Sequence, residues 1–329
     1  MSGGTELTMV QAINAALARA MAEDPSVLVL GEDVGVDGGV FRATEGLLAR
    51  FGDRRVIDTP LAEAGLAGLA VGLSAQGMRP VLEIQFTGFL YAALDQVLNH
   101  ASRLRTRTRG RLTCPLVIRS PSGGAIRAVE HHSESPEAIF AHVPGLRVVV
   151  ASSPAQAYGL LLAAIRDPDP VLFLEPTRLY RAPREIVTDD GTALPLDRCR
   201  VLRDGDDATL VSWGGPLREA LAAAETLAGE GIGCAVIDLA TIKPMDEETI
   251  LASVARTGRL VIVQEAPLTA GFAAEVAARV AEHGLATLRA PIQRVSGWDT
   301  VMPLPRLEQH YLPTTARIAA ALRRTMEWR

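Results

Sequence analysis

Asp58-Thr59-Pro60-Leu61-Ala62-Glu63 opens an apolar run with glycine at 65, 68 and 72 that stops at Gly77-Met78-Arg79-Pro80, where the strand-like Val81 to Phe86 takes over. Thr59 is suited to cap a helix, Pro60 to its first position and Gly77 to its end, so the spacing predicts a helix over roughly 60–76 followed by a strand. Its one carboxylate, Glu63, falls in the first turn. Three positions without a side chain let another backbone approach, which would put Glu63 near a meeting of subunits or domains. The residues alone leave a plainer reading open, in which Glu63 only complements the positive helix end.

The same rhythm extends in both directions. Val27 to Leu30, Leu116 to Arg119, Arg147 to Ala151 and Val171 to Leu174 are short β-branched or leucine-rich runs, and helical patterns at Thr8 to Ala22, Ala92 to Arg103 and Pro154 to Arg166 lie between them. Continuous apolar strands alternating with helices predict a parallel sheet covered on both faces. After a Pro, Asp and Gly-rich connection the rhythm restarts, with strands at Ala208 to Trp213, Cys234 to Leu239 and Arg259 to Val263 and helices at Leu217 to Ala228, Asp246 to Ala255 and Phe272 to His283. The fold class is α/β in two domains, 1–185 and 208–329, joined by a linker over 186–207. No repeat of solenoid period is present.

Composition narrows the function classes. With 329 residues, 48% hydrophobic, 22% charged and a net charge of -5, the chain can bury large cores and carries no nucleic-acid footprint. The basic stretch Arg103 to Arg111 reads as a solvated face or subunit contact. Three dispersed cysteines, Cys114, Cys199 and Cys234, fit neither a disulfide framework nor a zinc site. The N-terminus lacks a basic segment followed by an apolar one, and the helix after Thr59 holds too many small residues for a membrane span, so a soluble, unprocessed cytoplasmic protein is expected.

Gly31-Glu32-Asp33-Val34-Gly35 follows a strand but lacks the G-x-G-x-x-G that opens a helix in dinucleotide sites, and no P-loop or G-x-S-x-G elbow occurs. Two features remain. Glu130-His131-His132-Ser133-Glu134-Ser135, after Ser120-Pro121-Ser122-Gly123-Gly124, sets two imidazoles on a glycine-rich loop, where either could move a proton near neutral pH or form an ordinary surface pair. Phe86, Phe89 and Tyr91 cluster past a strand end, where parallel sheets place ligands, in a chain only 4% aromatic. A flat heterocycle suits them.

In this order the pieces resemble the β subunit of the E1 component of 2-oxo acid dehydrogenase complexes, thiamine diphosphate enzymes related to transketolase. The resemblance spans the chain and rests on Leu30 to Val34, Gly39-Val40-Phe41-Arg42, Asp58 to Glu63, Glu83 to Phe86, Cys114 to Arg119, His132-Ser133, Ala164 to Pro170, Leu174-Glu175-Pro176, Val236 to Leu239, Gln264 to Pro267 and Tyr311-Leu312-Pro313. It implies two three-layer α/β/α domains, a pyrimidine-binding domain and a transketolase C-terminal-like domain that serves assembly and docking to the E2 acyltransferase. Glu63 matches the glutamate that bonds N1′ of the aminopyrimidine and favours the imino tautomer that deprotonates the thiazolium. Desolvation at an interface would raise its pKa. Phe89 matches the ring that stacks on the pyrimidine, Glu32 falls among the cofactor-binding positions, and His132 matches the histidine that assists acyl transfer to a lipoyl arm. Leu116, Ala164, Asp167 and Asp169 match positions whose backbone carbonyls hold K⁺.

The chain lacks the Gly-Asp-Gly and later asparagine that hold Mg²⁺ and the diphosphate, so by the resemblance a separate E1 α subunit supplies that half in an α2β2 heterotetramer. Two positions depart from the commoner pattern: Glu134 stands where many members have Gln, and Trp298-Asp299-Thr300-Val301-Met302-Pro303 replaces Asp-Thr-Pro-aromatic-Pro. The histidine loop together with Arg105 to Gly110 is closer to bacterial branched-chain forms, which makes a branched-chain 2-oxo acid the favoured substrate, with pyruvate and acetoin as alternatives. The rival from another class is a non-catalytic assembly subunit that has kept the fold.

Overall fold

The computed structural model describes residues 3–181 and 184–328, which fall into two compact units: residues up to 122 with 139–196, and 123–138 with 197 onward. The first unit begins with strand β1 (Thr5–Thr8) and helix α1 (Met9–Glu23), whose start is fixed by a capping box: Gln11 donates its backbone N–H to the Thr8 hydroxyl, and the Thr8 N–H donates to the Gln11 side chain. The chain continues through β2 (Val27–Gly31), α2 (Leu47–Phe51), β3 (Val56–Asp58), α3 (Glu63–Ala75), β4 (Arg79–Glu83), and the short helices α4 (Thr87–Leu90), α5 (Leu94–Asn99) and α6 (Leu104–Arg107). It then passes through β5 (Val117–Ser122), α7 (Glu137–Ala141), β6 (Arg147–Val150), α8 (Pro154–Arg166), β7 (Val171–Pro176) and β8 (Arg184–Val187), which pairs antiparallel with β1. Six strands of this unit run β6-β7-β5-β4-β2-β3, all parallel, with β2, β5 and β7 buried along their whole length because α1 packs on α8 and α3 on α5 over the sheet.

The second unit follows the predicted rhythm. It contains β9 (Arg200–Arg203), β10 (Ala208–Ser212), α9 (Leu217–Ala228), β11 (Cys234–Asp238), β12 (Thr241–Lys243), α10 (Glu247–Thr257), β13 (Leu260–Pro267), α11 (Phe272–Gly284), β14 (Gln293–Gly297), α12 (Glu308–Tyr311) and α13 (Thr315–Met326). Its sheet runs β14-β13-β10-β11-β9 with only β9 antiparallel. Leu210, Val236, Val261 and Val263 of the sheet pack on Ala220, Ala224 and Leu227 of α9 and Ile318 and Leu322 of α13. Each unit is a three-layer α/β/α sandwich.

Local physics moved several boundaries. Helix α3 starts at Glu63, three residues later than the spacing predicted, because the Thr59 N–H donates to the Gly31 carbonyl (3.1 Å) and Pro60 keeps Thr59 extended. Ala62 is the residue before the helix, and Thr59 caps nothing. The predicted helix Ala92 to Arg103 is broken into short turns around α5, with His100 at φ -122 and ψ -65. The connecting segment is edged by two strands, β8 and β9, whose partners β1 and β11 lie far away in sequence.

At the centre of the first sheet is an ionic group that hydropathy conceals. The Arg119 side chain, 1% exposed in β5, donates to Glu83 (2.7 Å) and to both oxygens of Glu175 (2.7 and 3.0 Å), and the Tyr180 hydroxyl donates to Glu175 (2.6 Å). Burial opposes the guanidinium charge, but Glu175 and Glu83 outweigh it and hold Arg119 protonated. Removing one member of such a group leaves a buried charge without its partner, at a cost of about 3–5 kcal/mol. We expect Arg119→Met to lower the stability of the first unit by that amount in a urea titration, whereas a surface change such as Arg111→Met leaves the midpoint within error.

Candidate functional site

In the first unit the chain passes from β2 to β3 on one side and then to β4 on the other, so the strand order reverses about β2. Open α/β sheets bind ligands at such a reversal, outside the carboxyl ends of the strands. Register puts Gly31 opposite both Asp58 and Glu83, and Glu83 opposite Arg119, so the residues after these strands emerge side by side. They are Glu32 after β2, the Thr59 to Glu63 turn after β3, and Phe86 and Phe89 after β4.

The loop after β2 is clamped rather than free. The Asp58 carboxylate accepts the backbone N–H of Gly35 (2.5 Å) and Val36 (3.0 Å), and a Cβ on Gly35 would stand 2.7 Å from Asp58 Oδ2. Gln85 donates to Asp33 (3.0 Å) and the Thr44 hydroxyl to the Val34 carbonyl (2.7 Å). Glu32 is thereby held nearly buried, at 8% exposed. Burial raises its pKa, and the charges of Glu63 and Asp33 raise it further, so Glu32 and Glu63 act on each other electrostatically. Glu63 is half-buried at the first residue of α3.

Around these carboxylates runs an aromatic row. Phe41 lies 5.2 Å from Tyr180 and 5.6 Å from Phe86, and Phe86 5.8 Å from Phe89, in tilted or edge-on contacts. Phe41 was not singled out as an aromatic site residue by the sequence, because it is 45 residues from Phe86; the glycine pair at 38–39 before it was the available signal. Tyr91, two residues beyond Phe89, is exposed. The Thr59 hydroxyl, four residues before Glu63, is buried without a hydrogen-bond partner among the described residues. A half-buried carboxylate, an orphaned hydroxyl and flat apolar rings suit a planar heterocycle with ring nitrogens.

The histidines belong to the second unit by their contacts. Glu130–His132 form a 3-10 turn, with His131 exposed, His132 half-buried and their rings 4.3 Å apart. Burial and then the neighbouring His131 charge lower the His132 pKa, against a smaller opposing effect of Glu130. Burial and His131 both favour the uncharged imidazole. Beside this turn a cleft of about 460 Å³ is lined by Glu130, Ser133, Glu134, Asp299, Met302 and Tyr311 among others. Thr269 holds the far wall, donating from N–H (2.9 Å) and hydroxyl (2.6 Å) to Asp299.

The four carbonyl positions expected to hold K⁺ gather where α8 ends against the start of β5. The Val171 N–H donates to Leu116 O (2.9 Å), Cys114 N–H to Pro168 O (3.1 Å) and Asp167 N–H to Ala164 O (3.3 Å). Arg79 donates to Asp167 O (3.2 Å), and Arg105 to the Asp169 carboxylate (2.7 Å). The carbonyls of Leu116, Ala164 and Asp167 each have a second lone pair beyond the bond they accept here. No cluster of three His, Cys, Asp or Glu side chains with metal-binding geometry occurs among the described residues. Arg103, Arg107, Arg109 and Arg111 are exposed, and no described helix is long and apolar enough to cross a membrane.

Residues 5–183 match the transketolase pyrimidine-binding domain and residues 197–318 the transketolase C-terminal domain. Proteins named pyruvate dehydrogenase E1 component subunit β are 46% identical in Acholeplasma laidlawii (97% of each chain), 46% in Bacillus subtilis (98% of this chain, 99% of the relative) and 48% in Leifsonia xyli (98% and 95%). The chain belongs to the E1 β-subunit family of 2-oxo acid dehydrogenase complexes. A solved structure described as a split-gene transketolase, inactive β4 tetramer, superposes with a TM-score of 0.81 at 25% identity over 99% of both chains. In this E1 β-type chain the carboxyl-end group of the first unit falls inside the pyrimidine-binding match, and so does the histidine turn.

Proposed function

We propose that this chain is the β half of a thiamine-diphosphate-dependent 2-oxo acid dehydrogenase E1, active with an α subunit in an α2β2 assembly and passing its acyl product to the lipoyl group of an E2 acyltransferase. The observation that carries the reading is the group of Glu63, Glu32 and Phe89 at the sheet's reversal point, within a match to the pyrimidine-binding domain. When bound, the cofactor supplies the nucleophilic carbon that adds to the 2-oxo acid and accepts the electron pair left as CO₂ departs.

Glu63 holds a proton at the pyrimidine ring nitrogen, and its half-buried carboxylate is suited to give and retake it. Glu32 lies in the same field, its pKa raised by burial and then by the charges of Glu63 and Asp33. Phe89 offers a ring face to the pyrimidine, with Phe86 edge-on behind it. When the lipoyl disulfide opens, one sulfur takes the acyl group and the other leaves as thiolate; the hydroxyl that becomes the acyl carbonyl gives up a proton and the thiolate takes one up, and His132 is the group proposed to carry it from one to the other. Mg²⁺ and the diphosphate are assigned to the α subunit, because the Gly-Asp-Gly and asparagine pattern is absent here. K⁺ is assigned to the carbonyls of Leu116, Ala164, Asp167 and Asp169.

Pyruvate is the first substrate to consider, since the relatives quoted carry that name. The Glu130 to Ser135 loop favours a branched-chain 2-oxo acid as the second. One methylene is worth only about 1–3 kcal/mol in a pocket, so selectivity is a ratio to be measured.

Helix α3 supports the α/β assembly by what its glycines lack. A Cβ on Gly72 would meet nothing within 4 Å, and one on Gly65 only Ala62 at 3.8 Å, yet glycine in a helix interior costs about 1 kcal/mol relative to alanine. Nothing among the described residues requires them. Leu61 and Leu69, 71% and 49% exposed, add an apolar surface on the same helix and its approach. A partner backbone closing on α3 accounts for both.

Three outcomes test these assignments. Co-expressed with the α subunit, the chain is expected to turn over pyruvate or 3-methyl-2-oxobutanoate only with thiamine diphosphate and Mg²⁺, and Glu63→Gln to abolish turnover while size-exclusion chromatography still shows the heterotetramer; full activity of that variant removes the catalytic reading. Gly72→Ala is expected to raise the stability of the isolated chain by up to about 1 kcal/mol while weakening association with the α subunit at least tenfold, and unaltered association would refute the α3 interface. KCl is expected to raise the melting temperature above that in NaCl at equal ionic strength, and identical melting curves would remove the ion.

A further inference from the structure

We propose that Glu265 and Glu308 are positioning residues: they act as internal anions that fill a backbone nest at residues 123–127 and so hold the histidine-bearing loop in its working geometry. Gly123, Ala125 and Arg127 have φ of +77°, +63° and +59°, alternating with Gly124 and Ile126, which do not. Such alternation turns successive N–H groups toward one concavity that suits an anion. In phosphate-binding proteins the anion is a ligand, whereas here two side chains of the same unit occupy it. Glu265, 6% exposed within β13, accepts the Gly124 N–H. Glu308, 3% exposed at the start of α12, accepts those of Ile126 (3.1 Å) and Arg127 (3.3 Å) through one oxygen.

The fit is tight at every side. A Cβ on Gly123 would stand 2.9 Å from Glu265 Oε1, and one on Gly124 2.3 Å from Met302 Cε, while Ala125 packs on the Met302, Tyr311 and Leu312 cluster. The loop is closed at its far end, where the Gly123 N–H donates to the Glu134 carbonyl (2.8 Å), and buried Glu137 accepts the Trp213 indole N–H (3.1 Å). Between these fixed points hang His131 and His132. Ala125 and Arg127 hold left-handed backbone that L residues avoid, so the loop keeps this shape only while its N–H groups have acceptors. Because backbone N–H to carboxylate bonds are charge-assisted, an amide at 308 retains the acceptor oxygen but weakens the hold, and alanine removes it.

This inference rests on His132 serving acyl transfer, and the test separates the two. In the α2β2 complex, 2-oxo acid oxidation is read with ferricyanide as artificial acceptor, acyl transfer with a free lipoyl domain, and amide hydrogen exchange across residues 123–137 by mass spectrometry. Glu308→Ala is expected to lose at least tenfold in kcat/KM for the lipoyl domain, to keep the ferricyanide rate within twofold, and to exchange faster in 123–137 alone. Glu308→Gln is expected to recover transfer to within about threefold of the parent. Equal loss in both assays, or unchanged exchange in 123–137, overturns the proposal. Should Glu308→Ala fail to assemble, Glu265→Ala is judged by the same criteria, with Glu265→Gln as the variant expected to recover transfer. If the parent complex oxidises no 2-oxo acid, the functional reading fails, and the exchange comparison by itself decides whether the carboxylates hold the loop.

Discussion

Parallel strands covered on both faces leave polar chemistry one place to gather, the row of carboxyl ends. Within the first sheet the apolar side chains of β2, β5 and β7 are shut away from water, so an ionised group inside it must bring its own partners, as Arg119 does with Glu83 and Glu175. Register carries that requirement to the surface. Gly31, Asp58 and Glu83 lie abreast, so the loops that follow share one crevice, and Asp58 spends its carboxylate pinning the loop that presents Glu32. The position of Glu63 is set in the same way: the backbone bond from Thr59 to Gly31 delays the helix until Glu63 is its first residue.

Glu32 and His132 are shifted in opposite directions. Burial and then the charges of Glu63 and Asp33 raise the Glu32 pKa. His132 is shifted the opposite way, toward its uncharged form, by burial and by a second imidazole 4.3 Å away.

Much of this was legible in the residues. Helices α8 and α9 occupy the predicted Pro154 to Arg166 and Leu217 to Ala228, since each has a clean apolar stripe and a proline at or just before its start. Strand order was not legible, because continuous apolar runs state that a strand is buried and not which neighbour it takes. Helix α3 misled for a local reason: Thr-Pro is a good helix opening until a backbone acceptor, Gly31 O, competes for the threonine N–H. For the site, Glu63, Phe89 and His132 are proposed through the resemblance, and Phe41 and Glu265 lay inside its matched stretches without a role, because the contacts of Phe41, Glu265 and Glu308 are with residues 45, 141 and 182 positions away in sequence. Strands β8 and β9 were hidden likewise, as edge strands with mixed polarity whose partners are distant.

The loop at 123–138 has its covalent ends in the first half of the chain and its carboxylate acceptors in the second. This constrains inheritance. A recombination that joined the front of one relative to the back of another near residue 196 would preserve both sandwiches and yet exchange the acceptors for a loop that had adapted to different ones. Chimeras cut there should fold more readily than they work, and lineages should pass on Gly123 to Arg127 together with Glu265 and Glu308 as a single trait, although no domain boundary would suggest it.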